Sequence, residues 1–157
     1  MGNRERLSRL RYLAEQLGLP PAQRDASLPP ALRSVIFDIN VVLDGVIVAG
    51  EFMPQRCCLI GAALIDRQMN AWGLRASLPY NDDGDDRCAP VLNGKEVSVS
   101  GKEMAHWFEL PLDAYKALVL PASYYQDRDD DPTPSQVIAR LDEIMARNTP
   151  IDASAQG

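Results

Sequence analysis

The chain has 157 residues, 46% of them hydrophobic and 24% charged, with a formal net charge of −6. That is enough chain for one domain with its own core, and too apolar for disorder along most of its length. The longest apolar stretch, 39–50, is interrupted by Asn40 and Asp44 and is too short to span a bilayer. No apolar run follows Arg4, Arg6, Arg9 and Arg11, so no secretory leader, no membrane partner and a cytoplasmic setting are expected.

The charge is divided. Residues 1–33 carry six arginines against Glu5, Glu15 and Asp25, a local +3 that leaves −9 for the rest. An acidic body repels phosphate, so direct nucleic-acid binding would rest on the N-terminal arginines alone. A basic protein surface is the partner that this charge suits.

In chain order, Leu7, Leu10, Leu13, Ala14 and Leu17 recur at helical spacing and predict an amphipathic helix over 1–19, stopped by Gly18 and Pro20-Pro21. Residues 20–30 read as a Pro-rich linker, and 31–147 as a helical core. Leu32, Val35, Ile36, Ile39, Val42, Leu43, Val46 and Ile47 trace a broad stripe that predicts a long helix from Pro30. A third helix is expected from Cys57 to Trp72, with Gly73 as its stop. After the polar loop 81–86, Asn93-Gly94 within 88–99 predicts a tight β-hairpin. Ser100 and Glu103 have the spacing of a capping box for a helix reaching Glu109, and a short helix follows over 112–120. Thr133, Pro134 and Gln136 open a last helix whose Val137, Ile138, Leu141, Ile144 and Met145 face inward. Residues 148–157 are expected to be a disordered tail. The expected fold class is mainly α, or α+β with a minor sheet: a single-domain helical bundle with one hairpin.

Two patterns resemble known families. The run Cys57-Cys58-Leu59-Ile60-Gly61-Ala62-Ala63, then Trp107-Phe108-Glu109-Leu110, then an Asp-rich turn before Ser135-Gln136-Val137-Ile138-Ala139-Arg140-Leu141-Asp142, is similar in order to a group of uncharacterised phage and high-GC bacterial proteins with a Cys-Cys-Leu-Gly-type helix start. The resemblance covers about 40–147 and implies a phage or mobile-element origin without lending a chemistry. Ile60 and Glu109 depart from its pattern. Separately, Val35 to Asp44 resembles the first motif of haloacid-dehalogenase-type phosphatases, which would make Asp38 a nucleophile. Asn40 stands where the general acid belongs and cannot donate the proton, and the later motifs are missing.

Other chemistry is sparse. A thiol at a helix N-terminus is activated by the dipole, so Cys57 with His106 and one of Asp82 to Asp86 defines a cysteine-hydrolase alternative. Cys57, Cys58, Cys88 and His106 give a zinc count of four, but adjacent cysteines rarely face one tetrahedral ion. Asp127, Asp129 and Asp131 have calcium-loop spacing, while Pro132 and Ile138 occupy the positions that require Gly and Glu. No metal and no cofactor are expected. The leading expectation is a non-enzymatic acidic binding or accessory protein. It would present Tyr124, Tyr125, Asp127, Asp129, Asp130 and Asp131, with Asp82, Asp83, Asp85 and Asp86, to a basic partner. A nucleic-acid regulator using the N-terminal arginine helix is the remaining alternative.

Overall fold

The computed structural model describes residues 3–77, 89–124 and 132–148. Helix α1, Asn3–Leu17, forms where expected and buries Leu7, Leu10, Leu13, Ala14 and Leu17. It packs lengthwise on the last helix, α7, Pro134–Asn148, and also touches the two short helices that follow the first sheet. Val137, Leu141 and Ile144 complete the α1–α7 interface from the other side, and Arg11 Nε donates to Asp142 Oδ1 at 2.7 Å along its rim.

The connection after α1 is tied to the body. It holds a 3-10 turn, Pro21–Gln23, and then Arg24, whose buried guanidinium donates to the carbonyls of Leu19, Leu32 and Val35 at 3.1, 3.1 and 2.6 Å. These carbonyls close the ends of two helices, where the backbone has acceptors to spare and a cation complements the dipole.

The expected long helix from Pro30 is not formed. Helix α2 covers only Pro30–Ser34, and the Ser34 hydroxyl donates back to the carbonyl of Pro30 at 3.1 Å. The chain then turns extended: β1, Ile36–Phe37, β2, Leu43–Val48, and β3, Glu51–Cys57. The sheet order is β1-β3-β2, with β1 parallel and β2 antiparallel to β3. Six of the residues from Val35 to Val42 are Val, Ile or Phe, and those side chains suit a pleated surface better than a helix. Ala49 and Gly50, both at positive φ (54° and 82°), close the β2–β3 hairpin as a two-residue turn.

The expected helix from Cys57 is also recut. Cys57 ends β3, Cys58 caps α3, Leu59–Leu64, and Asp66 caps α4, Arg67–Trp72. Gly73, at φ 111°, stops α4 as expected. A second sheet follows, β4, Leu74–Ala76, β5, Pro90–Leu92, and β6, Lys95–Glu96, in that order and antiparallel. The β5–β6 hairpin turns on Asn93-Gly94, as the dipeptide predicts, with φ 51° and 87°.

Helix α5, Lys102–Trp107, is capped by Gly101 rather than Ser100, and no side chain bonds the cap. Helix α6, Leu112–Val119, matches expectation. At the start of α7 the Thr133 N–H donates to Gln136 Oε1 at 2.7 Å, one half of the anticipated box. The fold is therefore mixed α+β, with two three-stranded sheets among the described residues, and not a helical bundle with a single hairpin.

Candidate binding surface

Each residue singled out from sequence now has a place or lies outside the described residues. Cys57 and Cys58 are both buried. Burial pushes the Cys57 thiol far up, its neighbour Cys58 adds to the rise, and the Arg24 guanidinium only partly opposes it. Cys58 is raised by burial too; its Sγ accepts from the Gly61 N–H at 3.5 Å and its S–H donates to the Val42 carbonyl at 3.8 Å. A thiol held protonated is a poor nucleophile. It is also Cys58, not Cys57, that stands at the helix N-terminus. His106 points away from the core on an exposed face of α5. The hydrolase arrangement thus has a buried, raised thiol and a histidine on an exposed face, with no hydrogen bond between them among the described residues.

Tyr124 is not an exposed contact. It is 6% accessible, its hydroxyl donates to the Leu118 carbonyl at 2.6 Å, and the Arg140 guanidinium lies 3.9 Å from its ring centre. Desolvation raises its pKa to about 12. The tyrosine is spent on joining α6 to α7. Tyr125, Asp127, Asp129, Asp130 and Asp131, like Asp82, Asp83, Asp85, Asp86 and Cys88, lie outside the described residues.

The N-terminal arginines are largely engaged within the molecule. Arg6 bonds the Trp107 carbonyl and lies over its ring at 4.2 Å. Arg9 grips Asp66 through Nε and Nη2, and Arg11 grips Asp142. Among the described residues that leaves Arg4 without a comparable anchor, too little for a phosphate-binding stripe.

Asp38, the residue of the phosphatase-like run, follows β1 and accepts from the Asn40 N–H at 3.0 Å, the geometry of an Asx turn. Its other oxygen receives Arg56 Nη1 at 3.4 Å, while Arg56 Nη2 donates to Asp44 Oδ2 at 2.5 Å. Asp38 therefore belongs to a surface ion cluster centred on Arg56, whose charge the Asp44 hydrogen bond strengthens most.

That cluster sits on a surface the sequence did not reveal. Strand pairing sets Leu43 opposite Cys57 on the inner face, both buried against the helices. Alternation along β2 sets Asp44, Val46 and Val48 on the outer face; Met53 and Arg56, their partners on β3, join them because the register shifts between Asp44 and Gly45, and Ile36 follows as the partner of Arg56. A sheet with one wet face ordinarily places polar side chains there. Here Ile36, Val48, Met53 and Val46 are 62%, 57%, 49% and 43% accessible. Val46 stands directly across from Met53, and Val48 across from Glu51, which has no ion pair among the described residues. The result is an apolar patch framed by Asp38, Asp44 and Glu51 with a single arginine between. The missed signals were Gly45, the Ala49-Gly50 turn and the Val46/Val48 alternation; the helical stripe through the same residues masked them.

Little else gathers chemistry. A shallow open depression of about 420 Å3 beside the second sheet is lined by Ala89, Pro90, Glu96, Val97, Ser98 and Val99, with one carboxylate and no converging partner. Among the described residues no three His, Cys, Asp or Glu side chains come together as a metal site, and no helix is long and apolar enough to cross a membrane. Comparison with known proteins adds no kinship to this geometry: no family model, curated protein or solved structure matches the chain.

Proposed function

We propose that this chain is a non-enzymatic binding or accessory protein that docks a basic, partly apolar protein surface on the outer face of the β1–β3–β2 sheet. The observation that carries the reading is the joint exposure of Ile36, Val46, Val48 and Met53 on one face. Contiguous apolar side chains on a sheet surface mark an interaction site more often than chance scatter does. The charge around them supports a basic partner, since Asp38, Asp44 and Glu51 outnumber Arg56 and the whole chain carries −6. The buried thiols of Cys57 and Cys58 and a histidine on an exposed helix face favour binding over catalysis.

The double variant Val48→Ser/Met53→Ser tests this, because both side chains are outward and their removal leaves the core intact. The probe is a fluorescent synthetic peptide of alternating leucine and lysine, followed by anisotropy at low salt. Loss of two half-exposed apolar contacts should weaken binding roughly tenfold, at about 1 kcal/mol or slightly less per side chain. Added salt should weaken the parent complex as well. Equal affinity of parent and variant, with circular dichroism showing both folded, removes the face from the account.

A further inference from the structure

Among the described residues the same sheet has an open edge. β2 is flanked by β3 on one side only. Monomeric proteins usually guard such edges with lysine, proline, an inward charge, a bulge or a cover; here the register shift sits at one end, between Asp44 and Gly45, and leaves 45–48 regularly paired. The strand Leu43-Asp44-Gly45-Val46-Ile47-Val48 has neither lysine nor proline, and its one charge, Asp44, is already neutralised by Arg56 of β3. Within an acidic chain this is a strand with no uncompensated charge.

Hairpin geometry says which backbone groups face outward. The two-residue turn makes Val48 and Glu51 the closing hydrogen-bonded pair, so bonded and non-bonded pairs alternate from there. Ile47 and Gly45 then turn their N–H and C=O away from β3. Pro54, opposite Gly45, has no N–H to give, in keeping with that phase. Among the described residues, no backbone hydrogen bond beyond the sheet's own ladder is made at Gly45 or Ile47.

The geometry points to a second copy of this chain as the occupant, with β2 pairing antiparallel to β2 about a two-fold axis through Val46. An axis normal to the sheet keeps both outer faces on one side, so opposed residues must share a face. Centring on Val46 meets that condition: Gly45 opposes Ile47 of the second copy, and each pair exchanges both backbone bonds. Val46 then opposes its own counterpart in a closely spaced pair, with Cα atoms about 4.5 Å apart. Asp44 falls opposite Val48, so no carboxylate meets another across the seam. A basic extended peptide would find no free carboxylate on this strand, which favours the second copy. Pairing joins the two outer faces into one apolar platform and needs no basic partner.

Disulfide trapping reads the register. In a chain carrying Cys88→Ser, Val46→Cys should give a covalent dimer under mild oxidation, because its Cα spacing lies within disulfide reach. Met53→Cys, three strand spacings from its counterpart or about 14 Å, should not. Five residues of edge pairing make a small interface, so the unaltered chain should pass from monomer to dimer in sedimentation between roughly 10 and 300 μM. Val46→Lys, which sets like charges on the axis, should remain monomeric over that range. A parent chain that stays monomeric throughout, or trapping that is equal at both positions, overturns the pairing. So does amide exchange showing β2 protected only when an extended leucine-lysine peptide is added, which would give the edge to a peptide.

Discussion

Asp66→Ala should lower the unfolding free energy by about 4 kcal/mol, taking the cost of breaking a buried ion pair together with the loss of a helix cap. The Asp66 side chain is fully buried. One oxygen accepts from the Met69 N–H at 3.0 Å and so caps α4; the same carboxylate receives Arg9 Nε and Nη2 at 3.0 and 2.7 Å. Three donors thus converge on one group, two of them from α1. Arg9 is itself held against the Tyr12 ring at 4.6 Å, and the Tyr12 hydroxyl donates to Asp25 Oδ2 at 2.7 Å. The network fastens α1 to α4 and to the connection after α1. Urea denaturation followed by circular dichroism measures the loss. Arg9→Met should cost nearly as much by stranding the carboxylate, whereas the double variant Asp66→Ala/Arg9→Met should cost well under the sum. Additive losses would mean that the two side chains are not a unit.

Gly61→Ala is the second large effect, expected at about 3 kcal/mol or more, the upper range for overpacking a core that must move backbone to accommodate a methyl group. A Cβ at this position would lie 1.5 Å from the Val42 carbonyl oxygen and 2.9 Å from the Cys57 Cβ. Neither neighbour yields easily. Residues 41 and 42 are locked by the Cys58 N–H, which donates to the Val41 carbonyl at 2.6 Å, and Cys57 is paired with both flanking strands. The first turn of α3 therefore rests directly on the loop joining β1 to β2. The same substitution in an exposed helix would be stabilising, since alanine is the better helix former. A melting temperature equal to or above that of the parent would contradict this close approach.

How much of this was legible in the sequence depends on which signal was local. Asn93-Gly94 specified its turn because only a few residue types accept positive φ at both positions. Gly73 stopped α4 for a related reason, and the leucines of α1 sat on one face over four turns with no competing reading. The stripe from Leu32 to Ile47 failed because spacing of three and four recurs by chance in a run that is mostly apolar. Its β-branched content, and pairing with Glu51–Cys57, decided the outcome instead, and that pairing is a tertiary fact. The Cys57-Cys58 pair was visible as a feature but not as chemistry, since burial turned one cysteine into core and the other into a cap. Tyr124 looked like a surface contact because the Leu118 carbonyl and the Arg140 guanidinium that bury it come from other segments. The outer sheet face left local signals in Gly45, Ala49-Gly50 and the Val46/Val48 alternation, but the helical stripe through the same residues hid them.

A methyl NMR titration tests the binding reading most directly, with Ile36, Val46, Val48 and Met53 assigned and the leucine-lysine peptide added stepwise. The outward methyl groups should shift together and saturate, those of buried Leu10 and Leu141 should not, and a leucine-glutamate peptide should leave all of them in place. Perturbation centred elsewhere, or identical responses to the two peptides, would contradict a sheet face built for a basic partner.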